Sequence, residues 1–299
     1  MSALNISNAI KLYGSNEVVK NVSLKIEAGE RIALLGHNGA GKTTLLKMIL
    51  GLTSFNDGEI KVLGEAPGSK KARSSIGFLP ESVAFQGALN GREQLRHFAR
   101  LKSVCMGKAD DLLERVGLGD AASRKISTYS KGMRQRVGLA QAILGKPKLV
   151  LLDEPTSGLD PVSRHEFYDI MAELAQAGTA VLLSSHALSE LETRTDRIAI
   201  LRKGQLVANN KITTLRQQAA MPIVLRVTTS IEKVEQVASE LGAKRVNGQV
   251  VELTCLQNQK IATLNRVTAL GDVIRDVEVA TASLEELYRY FSSTGAEVI

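Results

Sequence analysis

The sequence is short of cysteine, aromatic residues and long apolar runs. Cys105 and Cys255 are the only cysteines among 299 residues. They can build neither a disulfide framework nor a four-ligand zinc site, which points to a reducing, cytosolic compartment. Aromatic residues make up 4% and tryptophan is absent, so stacking platforms for single-stranded nucleic acid are scarce. No apolar run reaches the ~18 residues that span a bilayer. The opening MSALNISNAIKLYG has neither the basic stretch nor the apolar stretch of a secretory leader. Any membrane role is therefore expected to pass through a partner that spans the membrane. Internal repeats and low-complexity segments are also absent.

What remains has globular composition, with 44% hydrophobic and 23% charged residues. At ~150 residues per domain, the length predicts about two domains. The formal net charge of +7 is uneven: residues 1–220 carry +9 and residues 221–299 carry −2. A basic excess can serve nucleic acid. Here it lies in the half that also carries a phosphate motif, which gives it a nearer use.

Periodicity divides the chain the same way. RIALLG (31–36), KLVLLDE (148–154) and TAVLLSS (179–185) are continuous apolar runs, as strands buried on both faces require. VVKNVSLKIE (18–27) and EIKVLG (59–64) read as further strands, and RIAILRKGQLVANN (197–210) as a hairpin turning at Lys203-Gly204. Helices are expected from about Lys42 to Leu50, across most of 92–145, and from Asp160-Pro161 to near Gly178, with Asp160 as N-cap and Pro161 at the first helical position. This alternation predicts an α/β fold with a mainly parallel sheet, interrupted by a helical subdomain at about 82–145. From 221 to 299 the pattern is strand, helix, hairpin with Asn247-Gly248 at its turn, helix, strand, which fits a small βαββαβ ferredoxin-like α+β module. A last helix follows at SLEELYRYF, with Ser283 and Glu286 spaced as a capping box.

Residues 36–43 read GHNGAGKT, the pattern G-x-x-x-x-G-K-[ST], between an apolar strand and a helix. Gly36, Gly39 and Gly41 let the backbone curl, so that the amides of Asn38, Ala40 and Thr44 and their neighbours can face phosphate oxygens. Lys42 brings a point charge to the β- and γ-phosphates, and Thr43 offers a hydroxyl to Mg²⁺. The expected ligands are ATP and Mg²⁺. A second motif, LVLLDEP (149–155), ends a buried strand in two acids. Asp153 can order the metal's shell, and Glu154 can take a proton from an attacking water. A base beside a metal ligand favours hydrolysis.

Between these motifs stands TYSKGMRQRVGLAQAIL (128–144), followed by SGLD (157–160) and by His186 within LLSSHALSE. This ordered set resembles the ABC transporter ATPases, whose P-loop fold combines a parallel sheet core with an antiparallel β subdomain and a helical subdomain. The resemblance implies a head-to-tail homodimer with each ATP between the phosphate loop of one subunit and the signature of the other. Ser130 and the Gly132 backbone would then meet the γ-phosphate held by the partner, Tyr13 would stack on adenine, Asp160 would close the D-loop, and His186 would contact the γ-phosphate. Three positions depart from the family pattern. Glu81 stands in GFLPES where a glutamine that senses the metal and the membrane partner is usual. Lys131 replaces the usual first glycine of the signature, keeping the amide and adding a cation near phosphate. Met133 replaces the usual glutamine. His37, His97 and His165 show no ligand spacing.

GHNGAGKTT, LPESVAFQGALNGREQLRHFARLK, TYSKGMRQRVGLAQAIL and SLEELYRYF together resemble one branch of these ATPases, which serves an exporter in maturation of the copper–sulfur centre of nitrous oxide reductase. That implies an integral membrane permease, a periplasmic accessory protein reached through it, and a place on the inner face of a bacterial cell membrane. The six methionines and two cysteines are dispersed, so no copper site is expected on this chain. Another drug or lipid exporter would use the same chemistry. A soluble ABC ATPase acting on nucleic acid or ribosomes is supported only by the basic balance, since this chain has one phosphate loop and no sustained heptads.

Overall fold

A computed structural model describes residues 2–185 and 188–294. The chain divides into one unit covering Met1–Lys211 and a second covering Ile212–Thr294.

The first unit is built on a six-stranded sheet. Its order is Ile76–Leu79, Leu149–Asp153, Ala180–Ser184, Arg31–Leu35, Arg197–Arg202, Gln205–Asn210. Every pairing is parallel except the last, the hairpin. Leu149–Asp153 and Ala180–Ser184 are buried at every position, as their unbroken apolar character demands. Register then fixes the site. Ser184 lies opposite both Asp153 and Leu34. The carboxyl ends of three central strands thus reach one edge, where ligands bind in open α/β sheets.

An antiparallel sheet of Asn16–Glu27, Ser2–Tyr13 and Asp57–Val62 covers the core. Leu4, Ile6, Ile26 and Ile60 from it pack into one apolar cluster with Leu45, Ile49, Leu149 and Leu182. The helical region holds Gly91–Leu101, Gly107–Arg115 and Lys131–Ile143. The first of these begins at Gly91, next to the expected start at Arg92. Asn90 starts it through a reciprocal capping box with Glu93. Leu95 and Ala99 on this helix are buried, as are Leu113 and Val137 on the other two.

The second unit has an antiparallel sheet ordered Lys244–Arg245, Val250–Cys255, Ile223–Thr229, Ile274–Ala280. Val234–Leu241 and Lys260–Thr268 supply Val237 and Val267 to its core, beside Leu225, Val227 and Val251. Ser283 caps the last helix, Leu284–Thr294, with the Glu286 amide donating to Ser283 Oγ at 3.3 Å and the Ser283 amide to Glu286 Oε2 at 2.7 Å. The helix Ile212–Gln218 precedes residue 221 but belongs to this unit: Arg216 Nε donates to the carbonyl of Ala282 at 2.7 Å. The boundary therefore falls one helix earlier than composition suggests.

Candidate functional site

The strand Arg31–Leu35 runs out into the glycine-rich loop, which opens the helix Lys42–Ile49. His37, Asn38, Gly39, Ala40, Gly41, Lys42, Thr43 and Thr44 line a concavity of about 260 Å³, with Val18 as the one contribution from the antiparallel sheet. Gly41 is the helix N-cap at φ 105°, and a Cβ there would come within 2.8 Å of the Val18 carbonyl. Only glycine meets both demands. The Lys42 side chain is buried, and its ammonium donates to the carbonyls of Gly36 and His37, the latter at 3.4 Å. The loop's own backbone thus holds the cation at the helix N-terminus, where a phosphate is favoured.

The two acids follow Leu152 at the same edge. Asp153 is 5% exposed, and both its oxygens are engaged. Oδ2 accepts from the Thr43 hydroxyl at 3.1 Å, and Oδ1 from the Ser184 hydroxyl at 2.6 Å. The next residue, Glu154, takes a left-handed backbone at φ 49°. Its amide donates to the Ser184 hydroxyl at 3.0 Å and to the Ser184 carbonyl at 3.2 Å. Thr43, Asp153, Ser184 and Glu154 therefore form one continuous chain of hydrogen bonds, of which only Ser184 lies outside the motifs read from the sequence. A run of small polar residues ending a buried strand at Ser184 and Ser185 was the available signal.

The oxygen donors here suit Mg²⁺, which commonly takes one or two carboxylates and fills its remaining positions with substrate phosphates and water. A hydroxyl and a carboxylate within 3.1 Å of one another, facing a phosphate loop, fit that habit. Among the described residues no group of three or more His, Cys, Asp or Glu gathers.

The signature lies elsewhere. Ser130 is exposed and caps the helix Lys131–Ile143 by accepting the Met133 amide at 3.2 Å. Arg134 holds the approach by donating to the Tyr129 carbonyl at 2.6 Å. Lys131 does not project freely: its ammonium donates to the Ser157 hydroxyl at 2.9 Å, tying the signature to the SGLD segment. A Cβ on Gly132 would meet the Gly158 carbonyl at 3.0 Å, so the same two segments touch through backbone. Asp160 caps the helix Pro161–Gln176, accepting from the Ser163 amide at 3.0 Å and the Ser163 hydroxyl at 2.7 Å. The Ser163 hydroxyl and amide hold the Asp160 carboxyl below the usual range.

Tyr13, Glu81, Ser130, Lys131, Gly132 and Asp160 do not line the phosphate concavity of their own chain. Tyr13 ends the strand Ser2–Tyr13, half-exposed, with the Lys11 ammonium 4.9 Å from its ring centre. Glu81 is exposed two residues beyond Leu79, whose strand pairs with that of Asp153. His186 lies outside the described residues.

A family model for ABC transporters matches residues 19–157. The protein named Uncharacterized ABC transporter ATP-binding protein YxlF, from Bacillus subtilis strain 168, is 39% identical over 95% of this chain and 98% of its own length. The linearmycin resistance ATP-binding protein LnrL of the same strain is 31% identical over 95% of this chain and 96% of its own. Among solved structures, the dimeric post-hydrolysis state of the ATP-binding cassette MJ0796 bound to ADP and Pi is 25% identical, covers 70% of this chain and 98% of that one, and superposes with a TM-score of 0.65. The chain belongs to the ABC transporter ATP-binding family and is an ATPase.

Proposed function

We propose that two copies of this chain pair head to tail and use ATP binding and hydrolysis to drive an integral membrane permease that works as an exporter. One observation carries the reading: the Thr43 hydroxyl, the Asp153 carboxylate and the Glu154 backbone are joined through Ser184 beside the phosphate loop. The exposed position of Ser130, outside its own chain's concavity, supports its use in trans.

The steps follow from the residues. Loop amides and the helix N-terminus bind the phosphates, and Lys42 turns its ammonium from loop carbonyls to the β- and γ-oxygens. Tyr13 stacks on adenine. Thr43, Asp153 and Glu81 would hold Mg²⁺, which would neutralise phosphate charge. Ser130, Lys131 and the Gly132 amide of the second copy close on the γ-phosphate, with the dipole of the helix Lys131–Ile143 behind them. Glu154 accepts a proton from the attacking water as His186 holds the γ-phosphate. Loss of the γ-phosphate removes the bridging anion, and the seam opens. Asp160 fixes the start of its helix, and so the angle at which the SGLD segment faces the partner. The cycle reaches the permease through the segment around Glu81 and the helix Gly91–Leu101. No described helix is long and apolar enough to cross a membrane, which is consistent with a separate spanning subunit.

For the transported species, the sequence runs quoted above are similar to NosF, and we assign the exporter to maturation of the copper–sulfur centre of nitrous oxide reductase, with a periplasmic protein receiving what is moved. A second reading, export of a drug, is favoured by the similarity to the linearmycin resistance protein LnrL, which extends through both units. Disrupting the gene separates them. The first reading predicts nitrous oxide reductase without the absorption of its copper–sulfur centre. An intact centre together with new drug sensitivity contradicts it and supports the second.

A further inference from the structure

We infer that Ser184 is a positioning residue for hydrolysis, its single hydroxyl setting the aim of both acids at once. This rests on the roles given above to Asp153 and Glu154.

Ser184 ends a strand buried along its whole length, and the residue itself is 0% exposed. A buried hydroxyl must be used, because an unmet one is costly. This one is used twice. It donates to Asp153 Oδ1 at 2.6 Å and accepts the Glu154 amide at 3.0 Å. The arrangement has only one consistent polarity. An ionised carboxylate only accepts and an amide N–H only donates, so the group between them must do both. Alanine and valine can do neither, and a thiol does both weakly.

Two consequences follow for the acids. Asp153 has its inner oxygen committed to Ser184, so its outer oxygen, Oδ2, faces Thr43 and the phosphate side. Glu154 sits at φ 49°, a conformation that a non-glycine residue keeps only when its surroundings impose it. The hydroxyl and carbonyl of Ser184 share its amide, which pins the peptide that launches the Glu154 side chain. The strand register, with Ser184 directly opposite Asp153, makes both contacts possible. None of the residues lining the phosphate concavity takes part except Thr43, so the device can fail while nucleotide still binds.

The test uses the full chain, assayed with its membrane subunit, and compares Ser184→Ala and the volume-matched Ser184→Cys with Glu154→Gln. ATP affinity is measured in EDTA, and turnover is measured against Mg²⁺ concentration. Both Ser184 variants are expected to keep the EDTA affinity within about 2-fold, to need about 10-fold more Mg²⁺ for half-maximal turnover, and to lose about 10-fold in kcat at saturation. A purely structural role would lower affinity and turnover together, and that result overturns the proposal. So does an unchanged Mg²⁺ requirement and kcat in both variants while Glu154→Gln is inactive. If Glu154→Gln turns over normally, the roles of the acids fail instead, whatever Ser184 does.

Discussion

The Thr43 hydroxyl and the Asp153 carboxylate meet at 3.1 Å across 110 residues of sequence. This contact joins the first turn of the phosphate-loop helix to the end of the strand Leu149–Asp153, so the loop that binds phosphate and the acid that serves the metal are held as one piece. The expected behaviour of variants follows from that unit and from what surrounds it.

Lys42→Ala removes the one buried cation of the loop, whose ammonium is already placed at the Gly36 and His37 carbonyls. Losing a charge-assisted contact of about 1.5–3 kcal/mol weakens ATP binding roughly 10–100-fold. Equilibrium binding of a fluorescent ATP analogue measures it. Affinity within a factor of about two of the native chain contradicts the assignment.

Ser130→Ala loses the cap that accepts the Met133 amide, which costs about 1 kcal/mol of stability. The larger effect is expected on the paired state. ATP-dependent dimerisation should weaken while ATP binding to a single copy stays unchanged, because Ser130 does not line its own chain's concavity. Sedimentation with and without ATP separates the two, and a parallel loss of single-copy binding contradicts supply in trans.

Asp196 accepts from Arg31 at three points: the backbone amide at 2.9 Å, Nε at 3.1 Å and Nη2 at 2.8 Å. Burial pushes the Asp196 carboxyl up, but the hydrogen bonds and charge of Arg31 outweigh it and hold the carboxyl below the usual range. A lowered native value gives stability that is present above the unfolded value of about 4 and is lost as pH falls through the native one. Asp196→Asn should therefore be less stable at pH 7 by about 1 kcal/mol, after discounting for solvent screening of this half-exposed pair. The gap should close toward pH 3. Urea unfolding of both proteins across that range checks it, and a gap independent of pH contradicts the ion pair as its source.

A chain ending at Lys211 keeps the phosphate concavity, both acids, Ser184 and Ser130, all of which lie in the first unit. It should fold and bind ATP within about 3-fold of the full chain, as a unit with its own core does. Calorimetric titration tests this. Loss of binding would assign the second unit a direct part in the nucleotide site.

Much of this was legible in the sequence because it is local. GHNGAGKT announces a strand, a tight turn and a helix within a few residues, and the hairpin 197–210 turns at Lys203-Gly204, where the structure also turns it. Asp160 and Ser283 cap helices as their spacing predicts. What escaped depends on register or on tertiary context. Ser184 acts only because it falls opposite Asp153 on a neighbouring strand. The Lys131–Ser157 bond joins the first residue of the signature helix to the SGLD turn, two segments that come together only in the folded chain. The strand Ser2–Tyr13 hides its alternation behind register shifts around Asn8, which stands at φ 51°. Ile76–Leu79 is a four-residue edge strand too short to show a period, and Ile212–Gln218 is a seven-residue helix with a single buried side chain, Leu215.

The central claim is a nucleotide shared by two copies, with Glu154 as the base that ends the shared state. Its most direct measurement is the mass by light scattering of purified Glu154→Gln with and without ATP and Mg²⁺. The account predicts a single copy without nucleotide and a stable pair of copies with it, and the pair should dissolve when Lys42→Ala is added. A Glu154→Gln protein that stays single at saturating ATP, with the membrane subunit supplied, would contradict it.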